Sequence, residues 1–246
     1  MKNEYISILM KLNFNHWKEQ NKYYSGDEFP KSMQTMLKTI KKHGLLPDFS
    51  PKSASDIVNE IELSIKKFDP NCPDYELLEY IFDLIQAWGG QMGRNPYDIQ
   101  KSRIQFDEWR ENYFDGAKSA LANKPTHALE SWFKIKGIAT SFGTKHLKFW
   151  SSNKFPVIDA RISLLLCGSE ELNKKKDPQV YSTFLNILET LAKQFNTTNI
   201  NDVEKALFAF SSHYFFNYKL IMKKNISQIS EDRLLAEDLE KCFLRD

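Results

Sequence analysis

Every periodic stretch of this chain repeats at the spacing of an α-helix, and none alternates at useful length as a strand does. Pro30 precedes Met33, Met36, Leu37 and Ile40, and the run stops at Gly44. Ser53 and Asp56 form a capping pair ahead of Ile57, Ile61 and Ile65. Pro73 opens a segment with Leu77, Ile81, Leu84, Ile85 and Trp88 on one face, ended by Gly89-Gly90. Residues 99–122 read as a long charged amphipathic helix, and Pro125-Thr126 starts another. Further on, 161–167 is a short apolar helix closed by Gly168, and Pro178 begins one through Phe184, Leu185, Ile187 and Leu191. Thr197 or Thr198 precedes a helix with Val203, Leu207, Phe208 and Phe210, and Ser230 caps a last one. Proline at the first turn and glycine past the last is how helices are punctuated. The expected fold class is all-α.

The totals narrow the function classes. A chain of 246 residues with 41% hydrophobic and 13% aromatic residues has material for a real core, in one large domain or two small ones. No run approaches the ~20 apolar residues of a membrane span. The first residues, Met1-Lys2-Asn3-Glu4, lack a hydrophobic signal core, so the expected compartment is the cytoplasm. Cys72, Cys167 and Cys242 are odd in number and scattered, which excludes a paired disulfide framework and a four-cysteine iron–sulfur cluster. His16, His43, His127, His146 and His213 show no metal-ligand spacing.

The chemistry concentrates in one place. Ile135-Lys136-Gly137-Ile138 reads as a tight turn between two helices, closing at Thr144-Lys145, with Pro156-Val157-Ile158-Asp159 soon after. Such a turn offers backbone amides to a phosphate, and Gly137 lets them approach closely because it has no Cβ. Net charge is only +2, but Lys134, Lys136, Lys145, Lys148, Lys154 and Arg161 stand against Asp159 alone, a local +5. A basic stripe over a turn is an electrostatic footprint for phosphate, or simply a solvated lysine-rich surface. Lys145 is a candidate nucleophile and Asp159 a candidate electrostatic partner. Asp159 precedes Ala160-Arg161-Ile162, where a carboxylate also serves as an N-cap and nothing more.

These residues, over roughly 132–166, resemble the helix-hairpin-helix DNA glycosylases, and more closely the bacterial branch with an 8-oxoguanine-glycosylase-type fold. In that branch a Gly-Val/Ile hairpin leads through Phe-x-Thr-Lys to an apolar, aromatic helix and an Ile-x-Asp or Ile-Asp step, matched here by Phe142-Gly143-Thr144-Lys145 and Ile158-Asp159. The chain departs from the better-known 8-oxoguanine enzymes in one respect. Their lysine lies four residues after the first hairpin glycine, a position held here by Ser141, whereas Lys145 is one helical turn further on; Lys136 replaces the hairpin proline.

The resemblance implies a two-lobed all-α fold around a DNA cleft, with residues 1–65 and 165–246 in one lobe and 66–164 in the other. It implies base excision from double-stranded DNA by a monomer, without a cofactor, apart from a monovalent cation that such hairpins hold. Asp159 and Lys145 would be catalytic. Lys136, Gly137, Ile138, Gly143, Thr144, Lys148 and Arg161 would bind DNA. The glycine-rich stretch with Trp88, Gly90, Gln91, Arg94 and Asn95 would fill the gap left by a flipped base, and Phe215 would stack in the pocket. A plain helix end with its loop, and an aromatic run in the core, account for the same residues. The substrate is open between 8-oxoguanine, in repair, and a bulky modified cytosine such as glucosylated hydroxymethylcytosine, in defence against phage. The rival to an enzyme is a non-catalytic helix-hairpin-helix module that holds DNA for a partner.

Overall fold

The computed structural model of the protein describes residues 3–20, 29–42, 44–46, 48–89, 108–215, 235–239 and 241. Among these residues the protein is α-helical, and its one extended feature is an isolated bridge between Asp69 and Cys72. No described helix is long and apolar enough to cross a membrane. The helices are α1 (Asn3–Leu9), α2 (Phe14–Gln20), α3 (Lys31–Lys42), α4 (Ala54–Lys66), α5 (Tyr75–Gly89) and α6 (Glu108–Leu121). They continue with α7 (Pro125–Phe133), α8 (Thr140–Trp150), α9 (Ala160–Cys167), α10 (Pro178–Gln194) and α11 (Ile200–Tyr214), with a 3-10 turn at Leu172–Lys174.

Local chemistry explains most of these boundaries. Ser53 and Asp56 make a full capping box on α4: the Ser53 hydroxyl accepts the Asp56 amide and the Asp56 carboxylate accepts the Ser53 amide. Pro125 and Pro178 sit in the first turns of α7 and α10, where a missing N–H costs nothing. Asp177 caps α10. Gly168 ends α9 at φ 70°, a left-handed conformation that a Cβ would strain. The cap of α11 is Asn199 rather than either threonine, and Thr197 instead accepts the Asn199 amide through its hydroxyl. Of the long helix expected over 99–122, α6 accounts for 108–121; residues 99–107 and the cap at Ser230 lie outside the described residues. The two N-terminal helices, each seven residues long, carry no side-chain signal strong enough to have been expected.

The chain forms two compact units, Met1–Lys22 with Pro156–Asp246, and Tyr23–Phe155. They divide it at different places from the lobes inferred above. Helices α3 and α4 pack on α5 and so go with the central helices, and the segment from Pro156 goes with the C-terminal ones. In the first unit α11 is the central helix, buried on nearly every side from Val203 to Ser212, as a helix wrapped by neighbours must be. Trp17 of α2 packs edge-on against Phe210 at 5.5 Å and Tyr214 at 5.7 Å.

In the second unit α5 and α8 are the central pair. All residues of α5 from Ile81 to Trp88 are buried, as are most of α8. Helices α6 and α7 meet where Gly116 faces Trp132, whose fully buried indole N–H donates to the Tyr113 carbonyl at 3.2 Å. A Cβ on Gly116 would overlap the Trp132 ring. Gly116→Ala is therefore expected to lower unfolding free energy by about 1–3 kcal/mol, the usual cost of overpacking a tight core. Urea titration of the variant checks this, and an unchanged midpoint would mean the two helices part freely.

Candidate active site

The turn between α7 and α8 is built by one glycine. Ile138 donates its amide to the Ile135 carbonyl at 3.2 Å, and Gly137, at φ 92°, takes the third turn position. A positive φ there is cheap only for a residue without Cβ. Beyond the turn α8 begins at an N-cap, Ala139, whose side chain cannot accept a hydrogen bond. Within that first turn the Phe142 amide donates to the Ala139 carbonyl at 3.1 Å, and Thr140 is fully buried.

The residues expected to bind DNA fall into two groups. Lys134 and Lys136 are exposed on the turn, Gly137 is half-buried, and Lys148 is half-buried on α8. Ile138, Gly143 and Thr144 instead face the interior of the unit. A Cβ on Gly143 would come within 2.8 Å of Leu129 and 2.9 Å of Phe133, so this glycine lets α8 lie close against α7. The Thr144 hydroxyl donates back to the Thr140 carbonyl at 2.8 Å. Arg161 is also not a free cation: its guanidinium pairs with Asp159 at 3.2 Å and lies 4.8 Å from the Phe208 ring centre. With Lys145 buried as well, fewer cations of the stripe are exposed than its count of +5 in sequence suggests.

Lys145 occupies the second turn of α8 and is 5% exposed. Its Nζ donates to the carbonyl of Gly89, the last residue of α5, at 3.4 Å, and lies 4.3 Å from the centre of the Phe142 ring. The helix beginning does not reach it: dipole effects fade within the first turn, and the nearest helix end is the negative end of α5.

Next to Lys145, His146 is fully buried within a chain of polar groups that the sequence did not announce. Trp150 donates its indole N–H to the Tyr113 hydroxyl at 3.1 Å, and that hydroxyl lies 2.9 Å from His146 Nδ1. On the other side of the ring, Nε2 is 3.2 Å from the Gln86 amide. If Tyr113 donates to Nδ1, then Nε2 carries the proton and needs an acceptor. The Gln86 amide oxygen, otherwise buried without a partner, supplies it once the amide is turned to face the ring. Phe82 stacks on the imidazole at 5.0 Å. Burial, and then the nearby Lys145 charge, pull the His146 pKa down to about 3, so the ring is neutral at pH 7.

Asp159 lies in the other unit as the N-cap of α9, 6% exposed. One carboxylate oxygen accepts the amides of Arg161 at 2.9 Å and Ile162 at 3.0 Å; the other takes the Arg161 guanidinium. The approach to the cap is tied down by the Tyr181 hydroxyl, which donates to the Pro156 carbonyl at 2.8 Å. Arg161 is held in turn from α11, where the Ser211 hydroxyl donates to its carbonyl at 3.0 Å.

Trp88 is buried in the last turn of α5, edge-on to Phe149 at 4.8 Å, and Phe215 is half-buried at the end of α11 against Phe210. Gly90, Gln91, Arg94 and Asn95 lie outside the described residues. For a monovalent cation at the turn the donors on offer are backbone carbonyls, and that of Ile135 already accepts the Ile138 amide. No group of three or more His, Cys, Asp or Glu among the described residues is placed to hold a metal. No family model matches the chain, and no match was found among curated proteins or among solved structures.

Proposed function

We propose that the chain is a DNA glycosylase of the two-lobed helix-hairpin-helix kind, acting on a modified base in double-stranded DNA. The observation that carries this is burial. Lys145 is the one buried lysine among the described residues, and it is the lysine that the hairpin motif singles out. Long cations are seldom buried without a task, and functional sites are where such groups collect. The buried, doubly amide-bound Asp159 supports the same reading. A module that merely grips DNA needs neither.

In this reading the turn and the uncapped start of α8 receive a backbone phosphate beside the lesion. The target nucleotide leaves the stack, and its C1′–N bond breaks with the electron pair departing on the base. The Asp159 carboxylate stabilises the positive charge left on the sugar. Lys145, as a free amine, forms a bond from Nζ to C1′. The nitrogen then gives up a proton as the C1′–O4′ bond breaks with its electron pair going to O4′, which is protonated. The resulting Schiff base lets the 3′ phosphate leave by elimination and so cuts the strand. If water takes that place instead, the enzyme releases the base alone.

The test is incubation of the purified protein with duplexes carrying 8-oxoguanine or glucosylated hydroxymethylcytosine, read as alkali-labile sites. Borohydride present during turnover is expected to trap a covalent adduct with wild type and none with Lys145→Gln. Base release without an adduct, persisting in Lys145→Gln, assigns the attack to water. No base release from either duplex removes the reading for these substrates.

A second expectation separates the hairpin's two roles. Ala139→Asp supplies the missing cap, so α8 should gain about 1 kcal/mol of stability. The same carboxylate competes with phosphate for the first-turn amides, so duplex affinity should fall several-fold. Thermal unfolding and fluorescence anisotropy check the pair of effects, and a stabilised variant that binds DNA normally would place the phosphate elsewhere.

A further inference from the structure

We infer that Phe142 and Gly89 are positioning residues for Lys145, setting its reactivity by seating its charged form in the free protein. Phe142 is one turn before Lys145 on α8 and presents its ring face to Nζ at 4.3 Å. A ring face at that distance attracts an ammonium and has little hold on a neutral amine. The Gly89 carbonyl, 3.4 Å away, is among the last carbonyls of α5, which have no partner within their own helix and form its negative end. The seat requires a glycine: a Cβ at position 89 would come within 2.7 Å of the Phe142 ring and 3.4 Å of the Lys145 stem. Ring, carbonyl and stem therefore close on one point.

Three further titratable groups lie on the neighbouring turns of α5 and α8. His146 is neutral and bound to Gln86 and Tyr113, Lys148 lies over Trp88 with its Nζ 5.9 Å from the ring centre, and Asp83 is buried two turns before Gly89. A seated ammonium is not a nucleophile, so Schiff-base chemistry must begin by drawing Lys145 off the ring and the carbonyl. This last step rests on the glycosylase reading; the seat does not.

The experiment is brief acylation of the full-length protein with acetic anhydride across pH 7–10, with the modification of each lysine read by mass spectrometry. In wild type, Lys145 is expected to react only at the alkaline end, well after the exposed Lys134 and Lys136. Phe142→Leu keeps the volume and removes the ring face, so half-maximal modification of Lys145 should move down by about half a pH unit. Phe142→Tyr should restore the wild-type profile, and Lys134 and Lys136 should be unmoved throughout. A uniform rise in Lys145 rate with no change in its pH profile means that Phe142 only shields, and it overturns the proposal, as does an unaltered profile. Gly89→Ala is expected to shift the profile in the same direction as Phe142→Leu. A shifted profile in a protein that releases no base from either duplex supports the seat and removes the glycosylase reading for those substrates.

Discussion

The Asp159→Asn variant is expected to lose base excision by at least about a hundredfold while binding duplex DNA nearly as wild type. The substitution is a narrow one because asparagine caps a helix as well as aspartate does. The two amides of Arg161 and Ile162 keep their acceptor, and α9 keeps its start. What disappears is the negative charge and its pairing with Arg161. The side-chain NH2 that replaces the second oxygen cannot accept from the Arg161 guanidinium, so the variant should also lose about 1–3 kcal/mol of stability. Single-turnover rates and anisotropy on the same duplex separate chemistry from binding. An asparagine variant with wild-type rates would reduce Asp159 to a cap.

Acid should unfold the protein through His146. In the native state its pKa is about 3, and in the unfolded chain it returns to about 6.5. Between those values the unfolded state binds the extra proton, so stability rises with pH across the window. The contribution is whole above pH 6.5 and is lost progressively as pH falls toward 3. At pH 4 the loss amounts to about 3 kcal/mol. Protonation is disfavoured within the fold because the ring is fully buried and stands beside the Lys145 charge. The measurement is urea unfolding at pH 7, 5.5 and 4 for wild type and for His146→Gln. The variant starts less stable, having lost the ring between Tyr113 and Gln86, but its stability should fall less steeply with pH. Equal slopes would show that another group carries the acid response.

The two proposed catalytic residues differ in how the sequence marks them. Asp159 stands before Ala160-Arg161-Ile162, and its role as N-cap is written in that local order; the structure places it there. Lys145 is marked only by its place in a motif. That it alone among the described lysines is buried depends on Gly89, more than fifty residues away. The basic stripe was a sequence count that space reduces, since one of its cations is buried and another pairs with Asp159. Gly143 and Thr144 lie beside the lysine in sequence, yet helical rotation turns them inward against α7 and the helix backbone.

Helix positions were legible because their causes are local. The capping box at Ser53, the prolines at 125 and 178 and the glycine at 168 act on neighbours within four residues, and apolar spacing names the face to be buried. The all-α class follows from that alone. Contacts between distant helices have no such local cause. Gln86 and His146 are sixty positions apart, and nothing in either neighbourhood says that they meet. Their pairing, the neutral state of the histidine and the seat of Lys145 arise only when α5 and α8 pack together, because burial and hydrogen-bond partners are properties of the packed core.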